Sequence, residues 1–149
     1  MKIAVGTDMD MPLARFVVEE LKKMGHEVTQ FGALVAGPSP WPKVAIEVAE
    51  KVAAGEFGQA VLFCWTGTGI SLAANKVRGI RAALCHDAQT AAGARQWNDA
   101  NVLAMSLRAT TETVAGEILE AWFSHGPSQN AGDIACLTYL DEAERRLMK

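Results

Sequence analysis

Histidine is scarce in this sequence: only His26, His86 and His125 are present. Any chemistry that needs an imidazole must choose among those positions. Cysteine is equally sparse. Cys64, Cys85 and Cys136 are odd in number and lack C-x-x-C spacing. That argues against a disulfide framework or a zinc site, and it fits a reducing cytoplasm. No window approaches the roughly 18–20 consecutive apolar residues of a membrane span. No dense Lys/Arg run occurs, and 14 basic against 17 acidic residues leave a formal charge of −3. A nucleic-acid or anionic-membrane partner is therefore not expected. The opening Met1-Lys2-Ile3-Ala4-Val5-Gly6 enters a strand pattern at once. It lacks the apolar stretch and small-residue cleavage site of a secretory leader.

What is there reads as one soluble domain over residues 1–149, half apolar and 21% charged, long enough to bury a full core. Strand and helix patterns alternate. Ile3-Ala4-Val5 is a short apolar strand ending in Gly6-Thr7-Asp8. Pro12 suits the first turn of a helix carrying Leu13, Phe16, Val17, Leu21 and Met24, with Gly25 as its stop. Residues 26–31 read as a second strand and residues 33–42 as a loop with two Gly/Pro clusters. A helix over 43–54 follows. Ala60-Val61-Leu62-Phe63-Cys64 is continuously apolar, the pattern of a strand buried on both faces of a parallel sheet. A short helix runs to about Lys76, then strand 80–84, helix 87–97, strand 102–104, helix 111–123 and an amphipathic helix over about 130–148. Five strands separated by helices predict an α/β, Rossmann-like doubly wound parallel sheet. The last helix is a candidate for packing on a partner subunit.

Ligands of such sheets bind at the carboxyl ends of the strands. The informative positions are thus Thr7-Asp8-Met9, the 33–42 loop, Cys64 to Gly69, Cys85-His86-Asp87 and Ser106-Leu107-Arg108. In Cys64-Trp65-Thr66-Gly67-Thr68-Gly69 a cysteine stands where a buried strand meets a helix start, and glycines let backbone N–H groups approach an anion. Such a cysteine can act as base or nucleophile, or simply close a strand. Asp8 can bind a hydroxyl, shuttle a proton, or cap the next helix. Asn98 and its neighbours fit turn chemistry. Cys85 and Cys136 read as packing residues, and Asp87 as a helix cap.

Assembled, these residues make the chain resemble the ribose-5-phosphate isomerase B and galactose-6-phosphate isomerase family. The resemblance rests on Cys64-x-Thr-Gly-x-Gly followed by Ala73-Ala74-Asn75-Lys76, on Gly79-Ile80-Arg81-Ala82-Ala83-Leu84-Cys85-His86-Asp87, on Asn98-Asp99-Ala100-Asn101-Val102-Leu103, and on Lys2-Ile3-Ala4-Val5-Gly6-x-Asp8. It implies a flavodoxin-like three-layer α/β/α sandwich with a five-stranded parallel sheet, and a homodimer or tetramer whose sites use two subunits. It implies aldose–ketose isomerisation through a cis-enediolate, in carbohydrate metabolism, with no metal or organic cofactor. Cys64 falls on the carbon base and Thr66 on its assistant. Gly67, Thr68 and Gly69 fall on the enediolate-binding backbone, and Asp8, Asn98 and Arg108 on substrate-binding positions.

The departures are as informative. Met9 and Trp97 stand where the family usually has histidines, the second credited with opening the sugar ring. Trp65 replaces a glycine and Trp41 a tyrosine. Gln129 and Asp133 fall where arginines usually grip the phosphate. Tryptophan has only an N–H donor and exchanges no proton near neutral pH. An aspartate repels a phosphate dianion. A sugar isomerase follows whose substrate is altered towards a non-phosphorylated or carboxylated sugar, with Met9, Trp41, Trp65 and Trp97 as candidate pocket residues. The tryptophans have a second reading as core packing. Alternatives are retention of an ordinary sugar phosphate, a non-catalytic sugar-binding or regulatory protein on the isomerase scaffold, and a nucleotide-binding Rossmann protein. The last lacks G-x-G-x-x-G after its first strand.

Overall fold

The computed structural model describes residues 1–148; Lys149, at the end of the expected domain, lies outside them. The elements in chain order are β1 (Lys2–Thr7), α1 (Pro12–Lys23), β2 (Glu27–Gly32), α2 (Ala33–Ala36), α3 (Trp41–Ala53), β3 (Gln59–Cys64), α4 (Thr68–Ala74), β4 (Ala82–Leu84), α5 (Ala88–Asn98), β5 (Val102–Ser106), α6 (Glu112–Ser124) and α7 (Ala131–Leu147). All strand pairs are parallel, in the order β2-β1-β3-β5-β4. The sandwich is the expected one. Its last two strands are exchanged relative to the flavodoxin order 2-1-3-4-5, so β4 forms the edge and β5 lies inside.

Alternation along the strands builds two cores. Val5, Val61, Phe63 and Leu103 pack with Leu13, Val17 and Leu21 of α1, Ala91 of α5 and Ile118, Leu119 and Trp122 of α6. Ala4, Leu62, Cys64 and Ala104 face the other way, against Val44 and Val48 of α3 and Ile70 and Ala73 of α4. Every residue of β3 is buried, as its unbroken apolar run requires. Each fully buried Val, Leu or Phe side chain stabilises the fold by roughly 1.5–3 kcal/mol.

Three local expectations are corrected. Residues 33–42 are not all loop: α2 occupies four of them, and α3 starts at Trp41 because Pro42, in its first turn, has a φ already suited to a helix. The fourth strand has three residues rather than five. Ile80 N–H closes a turn on Val77, and Arg81 N–H donates to Asn101 Oδ1 at 2.8 Å rather than joining the sheet. Cys136 is exposed rather than packed, because α7 buries none of its residues. That helix is held to the body near its C-terminal half, where Glu144 Oε1 accepts from Gly79 N–H at 2.8 Å and Asp141 faces Arg81. No helix is long and apolar enough to cross a membrane among the described residues.

Candidate active site

The chain leaves β1 for the α1 face and β3 for the opposite face, so a crevice opens between their carboxyl ends. The register pairs Thr7 with Phe63. Asp8 immediately follows β1 and Cys64 ends β3, at the carboxyl ends of two adjacent strands of a sheet whose strands lie about 4.8 Å apart. Cys64 is 5% exposed and belongs to the α3/α4 core face. Its carbonyl accepts from Leu107 N–H at 3.0 Å. The Trp65 carbonyl accepts from Arg108 N–H at 3.1 Å and from the Ser106 hydroxyl at 2.9 Å. The loops after β3 and β5 are thereby tied together, with Cys64 and Arg108 at the same edge.

The glycines after Cys64 are dictated by space as well as conformation. Gly67 has φ 80°, and a Cβ there would stand 2.5 Å from Leu84 Cδ1. It is the N-cap of α4 and no side chain caps that helix. The first N–H groups of a helix have no intrahelical acceptor, which leaves them for an oxyanion. Thr66 Oγ1 and Thr68 Oγ1 are hydrogen-bonded to each other at 2.8 Å. Trp41, the first residue of α3, lies over Gly69.

Asp8 does not cap α1, whose N-cap is Met11 without a side-chain hydrogen bond. Instead its carbonyl accepts from Ser39 N–H at 3.2 Å. Its Oδ1 is buried with no hydrogen-bond partner among the described residues. Burial pushes the carboxyl above its ordinary pKa, against a smaller opposing effect of the backbone N–H groups of Asp8 and Met9. Met9 is exposed beside it, its carbonyl accepting from Thr7 Oγ1 at 2.7 Å. Thr110 Oγ1, in the β5–α6 loop, is a second buried polar atom without a partner. Sequence reasoning did not single it out, since a threonine ahead of a helix reads as a cap. Thr111 is the residue that caps α6.

The remaining candidates divide. Trp41, Trp65 and Trp97 are 43%, 48% and 57% exposed, so none is core packing; Trp122 is the buried indole. Trp97 and Asn98 end α5, which runs from the carboxyl end of β4 back to the opposite edge of the sheet. Within one chain they are not brought to Cys64. Gln129 and Asp133 belong to the same far edge, where Ser128 N–H donates to the Gln96 carbonyl at 2.9 Å. Asp133 lies in the first turn of α7, where the helix dipole favours a carboxylate. Asp87 caps α5, accepting from Thr90 N–H at 2.7 Å. Cys85 is fully buried and its thiol is pushed up to about 12 by burial and by Asp87.

No histidine joins the Cys64 cluster. His26 stacks on Phe123 with ring centroids 4.5 Å apart. His125 Nδ1 is 2.6 Å from the Ala121 carbonyl. His86 is exposed beyond β4, with β5 lying between that strand and β3.

Comparison with known proteins accords with this arrangement. The family model described as Ribose/Galactose Isomerase matches residues 3–134. The chain is similar to "Ribose-5-P isomerase B" of Listeria innocua, 36% identical over 97% of this chain and 100% of that protein. It is also similar to "4-deoxy-4-sulfo-D-erythrose isomerase" of a Clostridium species, 34% identical over 87% of this chain and 83% of that protein. The solved structure of ribose-5-phosphate isomerase B from Clostridium thermocellum superposes with a TM-score of 0.91, at 37% identity, covering 98% of this chain and 99% of that one. With a Cys-x-Thr-Gly-x-Gly turn at the carboxyl end of the central strand, beside an aspartate from its neighbour, the chain belongs to the Ribose/Galactose Isomerase family of sugar isomerases.

Proposed function

We propose that the protein interconverts an aldose and a ketose through a cis-enediolate, with Cys64 as the base that moves a proton between C1 and C2. The observation that carries this reading is the seat of Cys64 at the carboxyl end of β3, with Asp8 just past the end of the paired strand β1 and the uncapped start of α4 following. The Cys64 thiolate takes the C2 proton, and the N–H groups around Gly67, Thr68 and Gly69 hold the oxyanion that develops. Thr66 assists at the reacting end. Asp8 hydrogen-bonds the sugar hydroxyls, while Trp41 and Trp65 offer apolar faces to the sugar.

The substrate is read as a sugar whose terminal group is not a phosphate dianion. Arg108 is exposed at the Cys64 edge and makes no ion pair among the described residues, so its fork is available to hold a carboxylate in two hydrogen bonds. Asp133 supplies negative charge where a phosphate needs positive. The Clostridium relative supports an altered terminus: its named substrate carries a sulfonate and lacks the O4 through which a furanose ring closes. A chain with Trp97 in place of an ionisable group suits a sugar that is already open.

A second copy of the chain completes the site in this reading. Trp97 and Asn98 lie too far along α5 to serve their own Cys64. No residue of helix α7 is fully buried, and Ile134, Tyr139, Leu140 and Leu147 on it are 45%, 73%, 50% and 72% exposed.

Proton NMR in D2O with ribose 5-phosphate, erythrose 4-phosphate and uronates tests the reading. Deuterium is expected at the carbon beside the carbonyl, lost in Cys64→Ala, with the uronates favoured. Rapid turnover of ribose 5-phosphate sinks the altered-substrate part. No exchange with any sugar favours a non-catalytic binding protein.

A further inference from the structure

We propose that the Asp8 carboxyl is the acid–base group that carries the proton between the two sugar oxygens during isomerisation. This rests on the reading of Cys64 as the carbon base.

Isomerisation moves two protons, not one. A hydrogen passes from C2 to C1, and a second must leave O2 and arrive on O1. A single thiolate accounts only for the first. The Cys64 edge holds few groups able to take the second. The Thr66 and Thr68 hydroxyls are engaged with each other at 2.8 Å, Arg108 offers donors only, and Trp41 and Trp65 have an indole N–H and no basic atom. No histidine belongs to the cluster. Asp8 remains.

The geometry suits it. Asp8 is the residue immediately after β1, and Cys64 is the last residue of β3, the strand paired with β1 up to Thr7 and Phe63. Its backbone is fixed on both sides, by Ser39 N–H on its own carbonyl and by Thr7 Oγ1 on the Met9 carbonyl. A carboxylate oxygen buried without a donor is unfavourable, whereas the same oxygen carrying a proton is not. Oδ1 is in that position. Burial also favours the neutral acid, the form that can donate.

The step balances. The Cys64 sulfur takes the C2 proton, the C2–H electrons form the C1=C2 bond, and the carbonyl electrons move onto O1. O1 takes the Asp8 proton. The resulting carboxylate takes the O2 hydroxyl proton, C2=O forms, and C1 recovers the proton from sulfur. Asp8 ends neutral and Cys64 ends as the thiolate.

Asp8→Asn keeps the size and hydrogen-bonding of the side chain but carries no proton. With ribose 5-phosphate, erythrose 4-phosphate and glucuronate as probes in D2O, two signals are read: deuterium entry at C2 of the aldose, and ketose formation. In Asp8→Asn, Cys64 still exchanges the carbon-bound hydrogen. Deuterium entry is expected within about tenfold of the unaltered protein, whereas ketose formation falls about 100- to 10,000-fold, the range of general acid–base catalysis, with KM within about threefold. Parallel loss of both signals, or retention of both, overturns the proposal. Absence of exchange in the unaltered protein, or its survival in Cys64→Ala, removes instead the Cys64 reading on which the proposal stands. Thermal unfolding confirms that Asp8→Asn is folded.

Discussion

The indole of Trp41 lies against Gly69: a Cβ built on that glycine would stand 3.2 Å from two of the ring carbons and 3.3 Å from a third. Trp41 opens α3 and Gly69 lies in the first turn of α4, so the contact joins the two helices at the mouth of the crevice. The ring therefore roofs the backbone that is read as the enediolate cradle.

Gly69→Ala must push that ring aside. A Cβ at that distance requires the ring to give by a few tenths of an ångström, well short of the ~1 Å misplacement that costs about 100-fold. A loss of up to about tenfold in kcat/KM is expected, with little change in unfolding temperature, since Trp41 is 43% exposed. Trp41→Phe in the Gly69→Ala background is expected to recover part of the rate by making room. Kinetics on the four-protein cycle checks it, and an additive result shows that the two residues act separately.

The three cysteines differ enough to be told apart by alkylation. Cys136 is exposed and reacts without consequence for activity. Cys85 is sealed, with its thiol near 12, and stays unlabelled below that pH. In a Cys136→Ser background iodoacetamide is expected to modify one residue, Cys64, with activity lost in step and a sugar substrate slowing both. Peptide mapping identifies the site. Complete inactivation with Cys64 unmodified contradicts its assignment as base.

The sequence patterns carried the architecture well because periodicity reports burial. The unbroken apolar run of β3 and the spaced apolar residues of α1 lie where the pattern put them. Three kinds of information were not legible. The strand order depends on which face each crossover packs, and nothing local to Leu84 or Val102 says that β5 inserts inside β4. The partition of the site was also hidden. Asp8, Cys64 and Arg108 share an edge because Cys64 ends a strand and the other two follow one, whereas Trp97 and Asn98 precede one and so lie at the other edge. The distinction is visible only once strand direction is known. The exposure of Trp41, Trp65 and Trp97 was likewise undetermined, since an indole serves a core or a pocket equally well.

The raised pKa of Asp8 makes a stability prediction with a definite sign. A carboxyl whose folded pKa lies above its ordinary value of 3.8 favours folding most fully when protonated in both states. That advantage is lost as pH rises through the folded value, and above it the buried carboxylate is a standing cost. Asp8→Asn removes the cost. The variant is expected to unfold at a higher temperature than the unaltered protein at pH 7, and at the same temperature near pH 3. Each kcal/mol recovered corresponds to about 2–4 °C for a domain of this size. A lower unfolding temperature at pH 7 contradicts the assignment.

Away from the site, Trp122 Nε1 donates to Gln59 Oε1 at 2.7 Å in the fully buried core beneath α6. Trp122→Phe removes the donor and strands the amide oxygen. Leaving a buried acceptor unpaired costs about 1–3 kcal/mol, to which lost packing adds. Urea unfolding is expected to show that loss, while turnover per folded molecule stays unchanged.

Helix α7 gives the test of assembly. A helix in which no residue is buried needs something to cover Ile134, Leu140 and Leu147, and an apolar stripe of that length is a liability in a free monomer. If a second copy covers it and brings Trp97 and Asn98 to the first copy's Cys64, placing a charge on the stripe separates the halves of the site. Ile134→Glu is expected to shift the mass measured by light scattering from a multiple of 15.9 kDa towards a single chain. Activity is expected to fall with the loss of the larger species as the protein is diluted. Mixing inactive Cys64→Ala with a second inactive variant, Asn98→Ala, sharpens the result. Hybrid dimers then hold one site with both residues intact, and up to half the activity per hybrid returns. Failure of the mixture to recover any activity, with hybrids formed, shows that Asn98 does not serve the Cys64 of a neighbouring copy.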